Sequence, residues 1–145
     1  MVDPIEIVLV EDDPADVKLA LHAFRKHNLA NTVAVVRDGE EALECLFRTG
    51  RYASLQGTPL PRLVLLDLKL PLVDGLEVLR RLKADPVTRL IPVVVLTSSS
   101  EERDLVESYA LGVNSYIQKP VDFDRFVDVV RQLGMYWLLV NKAPQ

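Results

Sequence analysis

Five short apolar runs punctuate the chain, and each is followed by a longer stretch whose apolar residues recur at helical spacing. The runs are Ile5-Glu6-Ile7-Val8-Leu9-Val10, Thr32 to Val36, Leu63-Val64-Leu65-Leu66, Val93-Val94-Val95-Leu96 and Ser115 to Gln118. The third and fourth are apolar at every position, which predicts central strands covered by helices on both faces. Thr32 to Val36 and Ser115 to Gln118 are shorter and more mixed, so they belong nearer the edges.

The intervening stretches open with helix-start signals. Asp13 before Pro14 reads as an N-cap followed by proline at the first helical position, with Val17, Ala20, Leu21 and Phe24 marking one face. Asp38-Gly39 precedes Ala42, Leu43 and Leu46, and Asp74-Gly75 precedes Leu76, Leu79 and Leu82. Ser99 with Glu102 three residues on makes a capping box for a fourth helix carrying Leu105 and Tyr109. Asp122 opens a fifth, with Phe123, Phe126, Val127, Val130 and Trp137. The order is therefore five βα units, an α/β chain. Right-handed crossovers then imply a doubly wound, five-stranded parallel sheet with helices on both faces, and the expected strand order is 2-1-3-4-5. Only Arg48 to Pro61 breaks the rhythm: it has no periodicity and contains Gly50, Gly57, Pro59 and Pro61. It is expected to be a surface insertion, with a binding loop or a mobile segment as the other readings.

Composition narrows the class. The 145 residues fit one domain, read as residues 1–145 with a core from about 4 to 135 followed by a helical extension and a short tail. A hydrophobic content of 49% excludes a disordered chain. Lys plus Arg total 17 against 21 acidic residues, a net charge of -4, which disfavours direct binding to nucleic acid. The lone Cys45 has no partner for an internal disulfide and sits on a helix face. Asp3 and Glu6 interrupt the start before a signal peptide could develop, and no apolar stretch approaches the length of a membrane span. The expected location is cytoplasmic, without membrane contact.

In a doubly wound sheet, ligands sit outside the carboxyl ends of the strands. Glu11, Asp12 and Asp13 follow the first strand, Asp67 the third, Thr97 the fourth and Lys119-Pro120 the fifth. Taken singly, each has an ordinary explanation. Asp13 is a helix cap, Thr97 a β-branched strand residue, Lys119 a solvated charge and Asp67 a turn former, while Glu11 and Asp12 are partners of a helix dipole. Together, at the ends of four strands, they point to one site. Close carboxylates stay ionised at neutral pH only beside a compensating cation, and hard oxygen ligands suit Mg²⁺. A carboxylate beside Mg²⁺ and a lysine can attack phosphorus, so the chemistry read here is phosphoryl transfer.

These residues resemble the receiver domain of two-component response regulators, the CheY-like family. The matching motifs are Val8-Leu9-Val10-Glu11-Asp12-Asp13-Pro14, Leu65-Leu66-Asp67-Leu68-Lys69-Leu70-Pro71 with Asp74-Gly75, Val95-Leu96-Thr97-Ser98, and Tyr116-Ile117-Gln118-Lys119-Pro120. The resemblance implies that Asp67 accepts a phosphoryl group from a sensor histidine kinase. It implies that Glu11 (through water), Asp12, Asp67 and the Lys69 carbonyl hold Mg²⁺, that Thr97 and Lys119 contact the phosphoryl oxygens, and that Lys119-Pro120 is a cis peptide. It also implies a switch. Thr97 moves toward phosphorylated Asp67, Tyr116 turns inward behind it, and a face built from the fourth helix, fifth strand and fifth helix responds. Lys69 and Ser99 lie where water reaches the acyl phosphate and are expected to tune its lifetime. Leu70 stands where many relatives have Met, a volume-conserving change.

The long loop and the aromatic C-terminal helix look similar to the small regulators paired with bacterial phytochromes, which implies a phytochrome kinase as partner. No output domain is expected after Lys119, and output is expected through protein contact, with a phosphorelay to a further protein as the alternative. Beyond Phe126, Val130 and Trp137, a second apolar stripe of Val129, Leu133, Tyr136 and Val140 points to a partner surface or a homodimer. A receiver of this kind is not an enzyme beyond its own phosphorylation and dephosphorylation. Three rivals share features with it. A haloacid-dehalogenase-type phosphatase uses an Asp nucleophile but wants an acid where Lys69 stands. A flavodoxin-like carrier shares the fold, but Glu11-Asp12-Asp13 would repel its cofactor phosphate. A protein-interaction scaffold that has lost phosphorylation would not need the full set of site residues.

Overall fold

The computed structural model describes residues 5–26, 33–98, 102, 104, 106 and 111–134. Its strands are β1 (Ile7–Val10), β2 (Val33–Val36), β3 (Leu63–Asp67), β4 (Val93–Thr97) and β5 (Ser115–Gln118). Its helices are α1 (Pro14–Lys26), α2 (Gly39–Phe47), α3 (Gly75–Ala84) and α4 (Phe123–Gln132), the last being the fifth helix of the sequence pattern. Short 3₁₀ turns cover Gly50–Leu55 and Thr88–Leu90.

All four strand pairings are parallel and the order is β2-β1-β3-β4-β5, as the alternation of strands and helices predicts. Ile5 and Glu6 lie outside β1, and Thr32, the expected start of β2, lies outside the described residues. The strands β1, β3 and β4 are buried at every position, whereas β2 and β5 are half-buried edges.

Alternation of side chains across the sheet sorts the core into two layers. Val8, Val10, Val64, Leu66, Val93 and Val95 pack on one face with Leu46 of α2 and Leu79 of α3. Ile7, Leu9, Leu63, Leu65, Val94 and Leu96 pack on the other with Phe24 of α1 and Phe126 of α4. The two phenyl rings meet at 4.8 Å between centroids, tilted by 55°. Such an aromatic pair adds to the burial that clamps the first and last helices together.

The caps follow the sequence reading. Asp38, Asp74 and Asp122 each accept from the backbone N–H three residues on, satisfying donors that a helix start leaves open. Asp13 accepts from Ala15 N at 2.9 Å. Glu102 Oε2 accepts from Ser98 N–H, next to the expected cap Ser99. Glu102, Asp104 and Val106 are helical. Ser99, Leu105 and Tyr109 lie outside the described residues, as do Trp137 and, of the predicted second stripe, Tyr136 and Val140.

The Arg48 to Pro61 connection is folded rather than irregular. Arg48 adopts a left-handed conformation (φ 58°) and buries its guanidinium, donating to Cys45 O at 2.6 Å and Pro59 O at 2.9 Å. Arg51 pairs with Glu44, and the Tyr52 hydroxyl donates to Glu41 at 2.7 Å. Side chains of α2 thus organise the segment, and such ties leave no hydrophobic period to read. Among the described residues no helix is long and apolar enough to cross a membrane.

Candidate functional site

The alternation that sorts the core also builds the site. Glu11 continues the parity of Ile7 and Leu9, Asp67 that of Leu63 and Leu65, and Lys119 that of Ile117, so all three belong to the α1 side of the sheet. Thr97 continues the parity of Val93 and Val95, and Tyr116 packs against the opposite core layer. The register pairs Asp67 with Leu96 and Thr97 with Gln118, and Lys119 N donates to Thr97 O at 2.8 Å. The strand-end residues are therefore held in one row by the sheet ladder.

Glu11 and Asp67 are almost wholly buried, at 1% and 2% exposure, while Asp12 is open to solvent. Oxygens of the three carboxylates all lie within 4.8 Å of one another. Lys119 Nζ stands 2.9 Å from Asp67 Oδ2 and 2.9 Å from Glu11 Oε1. The other oxygen of Asp67 accepts from Lys69 N at 3.2 Å, and Glu11 Oε2 accepts from Asp13 N at 3.2 Å. Lys119-Pro120 is cis. Thr97 is buried, Tyr116 half-buried and Lys69 exposed, its ammonium 3.7 Å from Glu102. The expected site residues Glu11, Asp12, Asp67 and Lys119 thus converge, with the Lys69 backbone attached to Asp67; Ser99 lies outside the described residues.

Sequence reasoning missed Asp16. It sits in the first turn of α1 and accepts from Lys119 Nζ at 3.3 Å. Only the matching parity of β1 and β5 toward α1, a property of the assembled sheet, brings residues 16 and 119 together.

The electrostatics are those of crowded acids. Burial, and then the neighbouring Asp67, push the Glu11 carboxyl up to about 7, against the lowering effect of Lys119 and the Asp13 N–H. Burial works against the Lys119 charge, but Glu11 and Asp67 outweigh it and hold the ammonium above its usual range. Glu11 Oε1 is buried, with the Lys119 ammonium 2.9 Å away. Three close carboxylates, one of them exposed to solvent, fit a hard divalent cation. Beside them lies a cleft of about 530 Å³ with an apolar floor of Leu68, Leu70, Pro71 and Leu76 and an acidic rim.

Two glycines hold the β3–α3 connection in place. A Cβ on Gly39 would lie 1.7 Å from Val73 O, and one on Gly75 would meet the backbone of Asp67 and Leu68. Gly39 N donates to Pro71 O and Gly75 N to Leu68 O. The segment bearing Lys69 is thereby held between the starts of α2 and α3.

A family model described as the response regulator receiver domain matches residues 7–131. The "Probable methanogenesis regulatory protein FilR2" of Methanothrix harundinacea is 43% identical over 98% of this chain and 89% of its own. The bacteriophytochrome response regulator AtBRR shares 52% identity over 97% of this chain and all of its own, with a TM-score of 0.87. A solved Mn²⁺-bound form of the response regulator Rcp1 shares 37% identity over 98% of this chain and all of its own, with a TM-score of 0.73.

Proposed function

Because the chain belongs to the response regulator receiver domain family, we propose that it takes a phosphoryl group onto Asp67 from a sensor histidine kinase and thereby switches a protein-interaction surface. One observation carries the reading: a buried carboxylate at the end of a central strand has one oxygen against an ammonium and the other on a backbone N–H, with two further carboxylates beside it.

An Asp67 oxygen attacks the phosphorus of a phosphohistidine; the P–N bond breaks and the imidazole leaves with its electron pair. Lys119 holds positive charge at Asp67, where the equatorial oxygens would collect, and the Thr97 hydroxyl donates to one of them. Glu11 (through water), Asp12, Asp67 and the Lys69 carbonyl would hold Mg²⁺, which would supply further charge neutralisation. Any catalysis is confined to the chain's own phosphorylation and dephosphorylation, whose lifetime Lys69 and Ser99 tune. Thr97 and Tyr116 carry the change outward, since β4 and β5 pair through Val95 and Tyr116.

The likeness to AtBRR, named for a bacteriophytochrome, supports a kinase of the phytochrome class as donor. The responsive face includes β5 and α4, where a cleft of about 470 Å³ runs past Tyr116, Gln118, Arg125 and Val129 along an unpaired sheet edge. A second copy of the chain is the partner proposed there. Light scattering with and without beryllofluoride tests this, and a monomer at high concentration in both states rejects it.

Acetyl phosphate with Mg²⁺ is expected to label the protein, and Asp67→Asn to abolish labelling. Equal labelling of the variant overturns the assignment of Asp67.

A further inference from the structure

Lys119 divides its ammonium among three carboxylates. It donates hydrogen bonds to Asp67 Oδ2 at 2.9 Å and to Asp16 Oδ2 at 3.3 Å, and stands 2.9 Å from Glu11 Oε1. Two of those partners, Glu11 and Asp67, belong to the trio close enough to share a cation; Asp16 does not. A divalent cation joining the trio faces an ammonium already placed against two of its ligands. Like charges at such range repel strongly in a partly buried site. Among the described residues, Asp16 is then the remaining anion paired with Lys119. It sits in the first turn of α1, its side chain about a quarter exposed at 27%.

We propose that Asp16 is a positioning residue that retains Lys119 beside Asp67 while the cation takes over the charge of Glu11 and Asp67. It acts as a second mooring, lowering the competition between ammonium and metal without touching the metal. The inference rests on the metal-assisted reading above and adds to it a residue that is neither a ligand nor the phosphoacceptor. An acid in the first turn of a helix also interacts favourably with the helix dipole, but that role does not involve Lys119.

The difference is measurable as a double-mutant cycle on Mn²⁺ affinity, by titration calorimetry of the full chain without any phosphodonor. Asp16→Asn is expected to weaken Mn²⁺ binding about fivefold when Lys119 is present, and by less than about twofold in a Lys119→Met background. Asp16→Ala should show the same dependence on Lys119, with unfolding curves confirming that each variant is folded. Equal losses in both backgrounds mean that Asp16 acts by its own field on the cation, and overturn the proposal. No loss in the presence of Lys119 overturns it as well. Labelling of Asp67 by acetyl phosphate is read separately. A chain that shows the coupling but fails to label overturns the phosphoacceptor assignment and leaves the role of Asp16 standing.

Discussion

Gly75 is packed directly onto Asp67: a Cβ at residue 75 would fall 2.2 Å from the Asp67 carbonyl oxygen. The start of α3 therefore presses on the backbone of the residue that carries the central carboxylate. Gly75→Ala must push helix and strand apart. A loss of about 1–3 kcal/mol is expected, by analogy with other overpacked sites. A lower urea midpoint at unchanged slope would show it, and a wild-type midpoint would refute the close approach.

The carboxylate trio predicts a strong response to divalent ions. Bound Mg²⁺ or Mn²⁺ stabilises the folded chain by mass action, about 2.7 kcal/mol at a hundredfold excess over the dissociation constant. The melting temperature should rise with either ion and fall back on chelation with EDTA. Asp12→Asn removes the solvent-facing carboxylate of the trio and should abolish most of the rise. A rise of equal size in the variant would exclude Asp12 from the metal site.

Cys45 is fully buried, and burial pushes its thiol above the usual range, outweighing the nearby Arg48. The folded chain therefore keeps this proton at a pH where the unfolded chain has lost it. The sign follows: the contribution to stability is complete below the unfolded thiol's titration and is lost as the pH rises through the folded one. At pH 8 the native protein should react negligibly with a thiol-specific disulfide reagent and rapidly once urea unfolds it. Fast reaction of the native chain would contradict the burial.

Arg48 ties the end of α2 to the folded connection through two carbonyls. Arg48→Met keeps much of the apolar stem but leaves Cys45 O without that donor in a buried setting. Such an unpaired group costs about 1–3 kcal/mol. The midpoint of urea unfolding should fall accordingly, whereas labelling by acetyl phosphate should match the wild type, because Arg48 lies outside the strand-end cluster. An unchanged midpoint would mean that the guanidinium contributes little to holding the connection.

Sequence pattern revealed most of the architecture because the fold is written in short-range signals. The apolar runs at Leu63 and Val93, with capping aspartates at 13, 38, 74 and 122, mark strands and helix starts over a few residues. Strand ends then locate Glu11, Asp67, Thr97 and Lys119 at one edge of the sheet. What stayed hidden depends on contacts made after assembly. Asp16 meets Lys119 across 103 positions. The bond from Ser98 N–H to Glu102 and the 3₁₀ turn at Gly50–Leu55, with its ties to Glu41, Glu44 and Arg48, have no period.

The connection between α2 and β3 returns to the sheet beside Glu6, where Arg62 N donates to Glu6 O, ahead of both β1 and β3. The carboxylates stand at the opposite pole, after those same strands. The connection and the carboxylates are thus separated by the full length of β1 and β3. The molecule separates what makes receivers react alike from what can make one receiver distinguishable from another. An individual address could be written at the base of the sheet while the chemistry at its crown stays common property.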